Sequence, residues 1–205
     1  MKKVSKPFNL IILGDPGAGK ATQAAYIAKK YNMYDYDMGK ELTLLRAKNK
    51  TVEQAQKKTA DKGNLTPTMI VRKLNNDFIS QADPNKGILF DGHPKMLGEA
   101  KLVASLLKKQ KRTNPLLIYL SIPQSEIINR ITNRKGYLDT KLKAREDDTL
   151  EALKNRARYY RKNIKDVVEF FSSKYMFQRV SGLGTRTEVR AKIQKAIDKY
   201  LKTLD

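Results

Sequence analysis

The strongest constraint on this chain is one short stretch near its start. A largely apolar run, Phe8-Asn-Leu-Ile-Ile-Leu13, stops at Gly14-Asp-Pro-Gly-Ala-Gly-Lys20. The run reads as a buried strand, and Lys20–Lys30 reads as the helix that follows. Glycines between a strand and a helix let successive backbone N–H groups curl around phosphate oxygens. The helix adds its positive N-terminal end, and Lys20 supplies a mobile charge for the outer phosphates. The general pattern has Ser or Thr directly after the lysine. Here that position is Ala21, and a hydroxyl follows at Thr22.

The rest of the chain alternates strands and helices. Helices are expected over Gly39–Lys50, Val52–Lys62, Pro67–Gln81, Leu97–Lys109, Pro123–Asn133, Asp148–Phe171 and Glu188–Leu201. Further strands are expected at Gly87–Phe90, Leu116–Ser121 and Met176–Val180, giving four in all. Lys135–Ala144 reads as a polar loop. Such alternation predicts a parallel sheet covered on both faces, with ligands bound beyond the carboxyl ends of the strands.

The segment Gly14-Asp-Pro-Gly-Ala-Gly-Lys-Ala-Thr-Gln23 resembles the phosphate loop of adenylate kinases and related nucleoside monophosphate kinases. Asp91-Gly-His-Pro-Lys95 looks like that family's Asp-Gly-Phe-Pro-Arg segment. Arg130-Ile-Thr-Asn-Arg134 is similar to the arginine pair entering its lid. Arg145-Glu-Asp-Asp148 with Arg156 is similar to its lid exit. Gly63-Asn-Leu65 resembles a stretch near the monophosphate site. The resemblance implies an α/β fold of the P-loop NTPase type: a three-layer αβα sandwich with a parallel sheet. It also implies one domain over residues 1–205, a helical acceptor-binding insertion at 38–68 and a short lid at 135–144.

The same resemblance implies residue roles. Gly14, Asp15, Pro16, Gly17, Ala18, Gly19, Lys20, Ala21 and Thr22 would bind ATP, together with Arg130 and Arg134. Lys20, Arg130, Arg134, Arg145 and Arg156 would be catalytic, since planar guanidiniums grip phosphoryl oxygens bidentately. Gly39, Arg46, Lys95, Glu99, Arg145 and Arg156 would face the acceptor. Asp91, ending an apolar strand, would hold magnesium through water, because Mg²⁺ takes few carboxylates. Asp147 and Asp148 look like the family's paired acids, although acids also cap helix starts. Between Arg134 and Arg145 there is no cysteine or histidine, so the lid looks like the short form, without zinc.

The acceptor half departs from the pattern. The family's Thr-Gly-Asp is Met38-Gly39-Lys40 here, and Thr43 stands where its acceptor-gripping arginine is expected. Arg46, about one helical turn on, is the substitute. Lys95 keeps the charge of a second arginine but loses the fork. Glu99 replaces the glutamine that reads the adenine edge. A carboxylate only accepts hydrogen bonds, which suits guanine's two donors, whereas an exposed helix glutamate is the plainer reading. His93 replaces a phenylalanine and is either a nucleotide-stacking ring or a buried structural one.

Composition sets the remaining bounds. The chain has 205 residues, no cysteine and one histidine, which excludes disulfides, thiolate metal sites and cysteine nucleophiles. No apolar run approaches the ~18 residues that span a bilayer, and no secretory leader is expected. A cytoplasmic monomer with no membrane partner is the expectation. The net charge of +21 attracts polyanions. It permits nucleic-acid contacts at Lys108–Arg112 and Arg156–Lys165, but scattered lysines favour a solvated basic surface. The leading expectation is a magnesium-dependent transfer of the γ-phosphoryl of ATP to a nucleoside monophosphate, AMP on family grounds, with GMP or another base open. The alternatives are an ATP-binding protein serving nucleic acid or a partner, and a kinase or NTPase with a non-nucleotide acceptor.

Overall fold

The computed structural model describes residues 6–58, 68–132 and 150–204. The side chains of residues 128, 131, 132, 150–157 and 159 fall outside that description. Among the described residues five strands form one parallel sheet: β1 (Leu10–Gly14), β2 (Tyr34–Asp37), β3 (Ile88–Asp91), β4 (Leu116–Ser121) and β5 (Phe177–Ser181), in the order β2-β3-β1-β4-β5. The chain leaves β1 for one edge and then travels back across to the other. Strand order therefore reverses beside β1, where open α/β sheets place their ligands.

The helices are α1 (Lys20–Tyr31), α2 (Met38–Lys48), α3 (Lys50–Lys58), α4 (Thr68–Gln81), α5 (Leu97–Lys109), α6 (Gln124–Thr132), α7 (Leu150–Ser172) and α8 (Arg186–Leu201). Side-chain alternation along the strands divides the core into two layers. Leu10, Ile12, Ile118 and Leu120 pack with Ile27 of α1 and Ile193 of α8. Ile11, Leu13, Leu117 and Tyr119 pack on the opposite face with Val71 of α4, Val103 of α5 and Val167 of α7. Both faces of β1 and β4 are buried, so these strands read as unbroken apolar runs rather than alternating ones. Each fully buried aliphatic side chain contributes about 1.5–3 kcal/mol. The three-layer αβα expectation is met.

One strand escaped the sequence reading. Tyr34-Asp-Tyr-Asp37 carries two acids in four residues, yet it pairs with β3 from Tyr34↔Ile88 to Asp37↔Asp91. It is an edge strand with only Tyr36 fully buried, stacked on Phe78 of α4 at 3.9 Å and edge-on to Phe90 at 5.7 Å. Edge strands tolerate polar residues because one side meets solvent. Helix boundaries otherwise shift by a residue or two. The expected end of α3 at Lys62 lies outside the described residues, as does Pro67. The expected lid at 135–144 lies outside them too.

Candidate active site

All five strands point their carboxyl ends to one side, and the phosphate loop lies there. Gly14 closes β1 so near β4 that a Cβ would sit 2.3 Å from the Leu120 carbonyl oxygen, a collision no other residue avoids. Its N–H donates to the Tyr160 hydroxyl at 3.1 Å. Gly19, at φ 87°, turns the chain into α1 through the left-handed region that glycine enters without strain. No side chain caps α1 and no acid lies in its first turn. The amides of Ala21 and Thr22 therefore face the loop with no acceptor inside the helix, which builds an anion site at a positive helix end.

Lys20 Nζ donates to the carbonyls of Gly14 at 2.8 Å and Asp15 at 2.9 Å. The ammonium is thus folded back over its own loop, 5.7 Å from the Tyr160 ring centroid. Arg130 reaches the loop from α6. Its Nε donates to Glu126 at 2.5 Å, and its Nη1 donates to the carbonyls of Gly17 and Gly182, both at 3.2 Å. It ties the loop to the segment after β5.

Asp15 anchors the loop to the sheet. Its N–H donates to Leu120 O at 2.9 Å. Its carboxylate accepts from the Tyr119 hydroxyl and from Ile122 N–H, both at 3.0 Å. Asp15 is buried, and its N–H and carboxylate root the loop in the β4 segment.

Asp91 ends β3 opposite Asp37. Burial, then the neighbouring carboxylates of Asp37 and Asp35, push its pKa up to about 7, against the pull of Lys20 and Lys95. A carboxylate held in surplus negative potential fits a hard cation with oxygen ligands. Among the described residues no group of three or more His, Cys, Asp or Glu side chains could hold a metal, so any cation here would need oxygens from water or substrate. Asp37 also accepts from Gly39 N–H at 2.8 Å and Lys40 N–H at 3.3 Å, capping α2. Lys40 lies 3.7 Å from Asp37 and 3.9 Å from Asp35. The positive charge at position 40 is thereby balanced by the end of β2, a strand that sequence reading did not see.

Glu99 corrects an expectation. It does not face solvent: it is 2% exposed. Its Oε2 accepts from Lys95 N–H at 2.9 Å and Met96 N–H at 3.3 Å, closing the first turn of α5. The third position of a helix is where a carboxylate can reach back to cap the start. Burial raises its pKa. His93 is the buried structural ring: it lies edge-on to Tyr36, and burial, with Lys95 adding, lowers its pKa to about 3.

Arg46 lies on α2 and Thr43 donates to Gly39 O at 2.8 Å, within the turn before it. Arg156 lies on α7, with its side chain outside the description. Arg134, Arg145, Asp147 and Asp148 lie outside the described residues, as does Gly63-Asn-Leu65. The structure therefore brings together the loop, Lys20, Arg130 and Asp91. It adds residues that sequence reasoning missed: Tyr160, Tyr119, Asp35 and Asp37. A signal for Tyr160 existed, because residues 160, 164, 167 and 171 form one buried stripe of α7 at helical spacing.

A parallel three-layer sandwich with a glycine loop and lysine at the end of its central strand defines a P-loop phosphate-binding protein. The adenylate kinase family model matches residues 12–176. An adenylate kinase of Azobacteroides pseudotrichonymphae is 32% identical over 191 residues, covering 93% of this chain and 97% of the relative. One of Leptospira biflexa is 32% identical, covering 92% and 98%. One of Archaeoglobus fulgidus is 29% identical, covering 91% and 98%. The chain belongs to the adenylate kinase family, and with it to the nucleoside monophosphate kinases, which are phosphotransferases. The binding-protein and non-nucleotide-acceptor alternatives are not favoured. No helix among the described residues is long and apolar enough to cross a membrane.

Proposed function

We propose that the protein transfers the γ-phosphoryl of MgATP to AMP. The observation that carries this reading is the Gly14–Thr22 loop with Lys20 at its centre and Asp91 at the adjacent strand end, in a chain whose relatives are adenylate kinases. Phosphoryl transfer needs two anionic substrates held in line, with their charge neutralised. The loop amides and the end of α1 hold the donor phosphates. Lys20, held over the loop by the Gly14 and Asp15 carbonyls, turns its remaining donor to the outer phosphates. Arg130, Arg134, Arg145 and Arg156 neutralise the group in flight, a role supported by their resemblance to the family's lid arginines. Asp91 would hold magnesium through water, and the ion would supply further neutralisation of the phosphate charge. Gly39, Arg46, Lys95, Glu99, Arg145 and Arg156 serve the acceptor, with residues 38–68 as the acceptor-binding insertion and 135–144 as a short lid over one domain. A cytoplasmic monomer without zinc completes the reading.

The test is turnover of MgATP against AMP, GMP, CMP, UMP and no acceptor. Turnover with AMP well above the other bases supports the reading. Turnover confined to another base refutes AMP alone. ATP consumption that no monophosphate accelerates refutes the kinase assignment.

A further inference from the structure

We infer that Tyr160 is a positioning residue for phosphoryl transfer, setting the place of Lys20 through the backbone of Gly14. Both polar groups of Gly14 are engaged: its N–H donates to the Tyr160 hydroxyl at 3.1 Å, and its carbonyl accepts from Lys20 Nζ at 2.8 Å. The tyrosine and the lysine therefore hold one residue from its two ends. The Tyr160 ring also lies 5.7 Å from the Lys20 ammonium, within range of a cation–π contact. One side chain thus reaches the lysine by two routes.

The contact spans the fold. Tyr160 lies 146 positions from Gly14 in sequence, on α7, whose described residues begin at Leu150. Arg156 lies one helical turn earlier on the same helix. A hydrogen bond from the loop to this helix fixes the helix's rotation and height relative to the loop. Tyr160 is 7% exposed and sits on the buried stripe with Ile164, Val167 and Phe171, so it has little freedom to yield. Tyr119 and Asp15 flank it. The Tyr119 hydroxyl donates to Asp15 at 3.0 Å, so the second residue of the loop is held by β4 as the first is held by α7. Burial raises the Tyr160 pKa far above its ordinary value, with Tyr119 and Asp15 adding to the rise, which keeps a neutral hydroxyl facing the Gly14 amide at any working pH.

The inference rests on the kinase reading, and wild-type turnover tests that reading separately. Tyr160→Phe keeps the ring and removes the acceptor of the Gly14 N–H. Small misplacements of reacting groups cost up to about 100-fold in rate. The expected result is a kcat lowered by about 10–100-fold in Y160F with the calorimetric Kd for ATP within about threefold of wild type. The control is Tyr200→Phe, which removes a hydroxyl that donates to Asn114 O near the opposite ends of the strands. Y200F should lower Tm but leave kcat within about threefold. A Y160F kcat within about threefold of wild type, or no lower than that of Y200F, overturns the inference. Amide exchange in wild-type protein is a second test that needs no variant. The Gly14 N–H should exchange as slowly as the neighbouring β1 amides, and exchange at loop rates overturns the inference however Y160F folds.

Discussion

Asp91 and His93 flank Gly92 on one turn, and burial drives their protonation in opposite directions. The Asp91 carboxyl rises from 3.8 to about 7, with Asp37 adding to the effect of burial. The His93 imidazole falls from 6.5 to about 3. Each shift is a pH-dependent contribution to stability, and the two have opposite sign. Between about pH 4 and 7 the folded protein keeps a proton on Asp91 that the unfolded chain has lost, so stability falls as pH rises. Between about pH 3 and 6.5 the folded protein keeps His93 neutral while the unfolded chain charges it, so stability falls as pH drops. Over about pH 4–6.5 the two slopes cancel.

Single variants should therefore tilt the profile in opposite ways. In metal-free buffer, Asp91→Asn should lose stability toward acid more steeply than wild type. His93→Phe should gain stability toward acid relative to wild type. Each slope should differ from wild type by up to one proton, about 1.4 kcal/mol per pH unit. Urea melts at pH 4.5, 5.5 and 6.5 measure this, and parallel profiles for all three proteins would contradict it.

Gly14→Ala should be severe for steric reasons alone. The new methyl would press on the Leu120 carbonyl at 2.3 Å, and the sheet can relieve it only by parting β1 from β4. A loss of about 3 kcal/mol or more is expected, together with loss of ATP binding. Gly98→Ala is the comparison, since a Cβ there meets nothing within 4 Å, and its stability should match wild type or exceed it. Thermal melts and ATP titrations of both variants decide the matter.

Lys20→Ala should separate stability from chemistry. The lysine's partners are loop carbonyls at a partly exposed mouth, so unfolding should change by no more than about 1 kcal/mol. Turnover should fall by about 10²–10³-fold, as when one preorganised charge donor is removed from a transition state. The double variant Lys20→Ala with Arg145→Ala should have no measurable turnover while keeping a cooperative melt. Steady-state rates beside circular-dichroism melts test both statements.

Glu99 should behave as a cap. Glu99→Ala leaves two amides at the start of α5 without their acceptor and should cost about 1–2 kcal/mol. Glu99→Gln keeps an acceptor oxygen and removes a buried charge, so it should cost clearly less. Equal losses in chemical denaturation would show that the Lys95 and Met96 contacts carry no stability.

The readable parts of the sequence were those in which neighbours along the chain do the work. Phe8–Leu13 announced a buried strand, and Gly14–Lys20 announced a phosphate loop entering a helix, because both signals are local. Tyr34–Asp37 was unreadable for the same reason. Its two aspartates look like loop residues, and only pairing with β3 and the stack of Tyr36 on Phe78 make it a strand. The burial of Glu99 is not legible, because spacing places a residue on a helix without saying whether its carboxylate meets water or the helix's own amides.

Local pattern by itself determined the α/β alternation, the phosphate loop and Lys20 within it, since strand, glycine turn and helix start are written in adjacent residues. Tertiary structure alone decided the rest of the site's character. It brought the Tyr160 hydroxyl to Gly14, turned Asp15 toward Tyr119, set Asp37 beside Asp91 and sealed His93 from water. These are effects of desolvation and of hydrogen bonds between distant segments. Their strength depends on what surrounds a group in space, which no stretch of sequence contains.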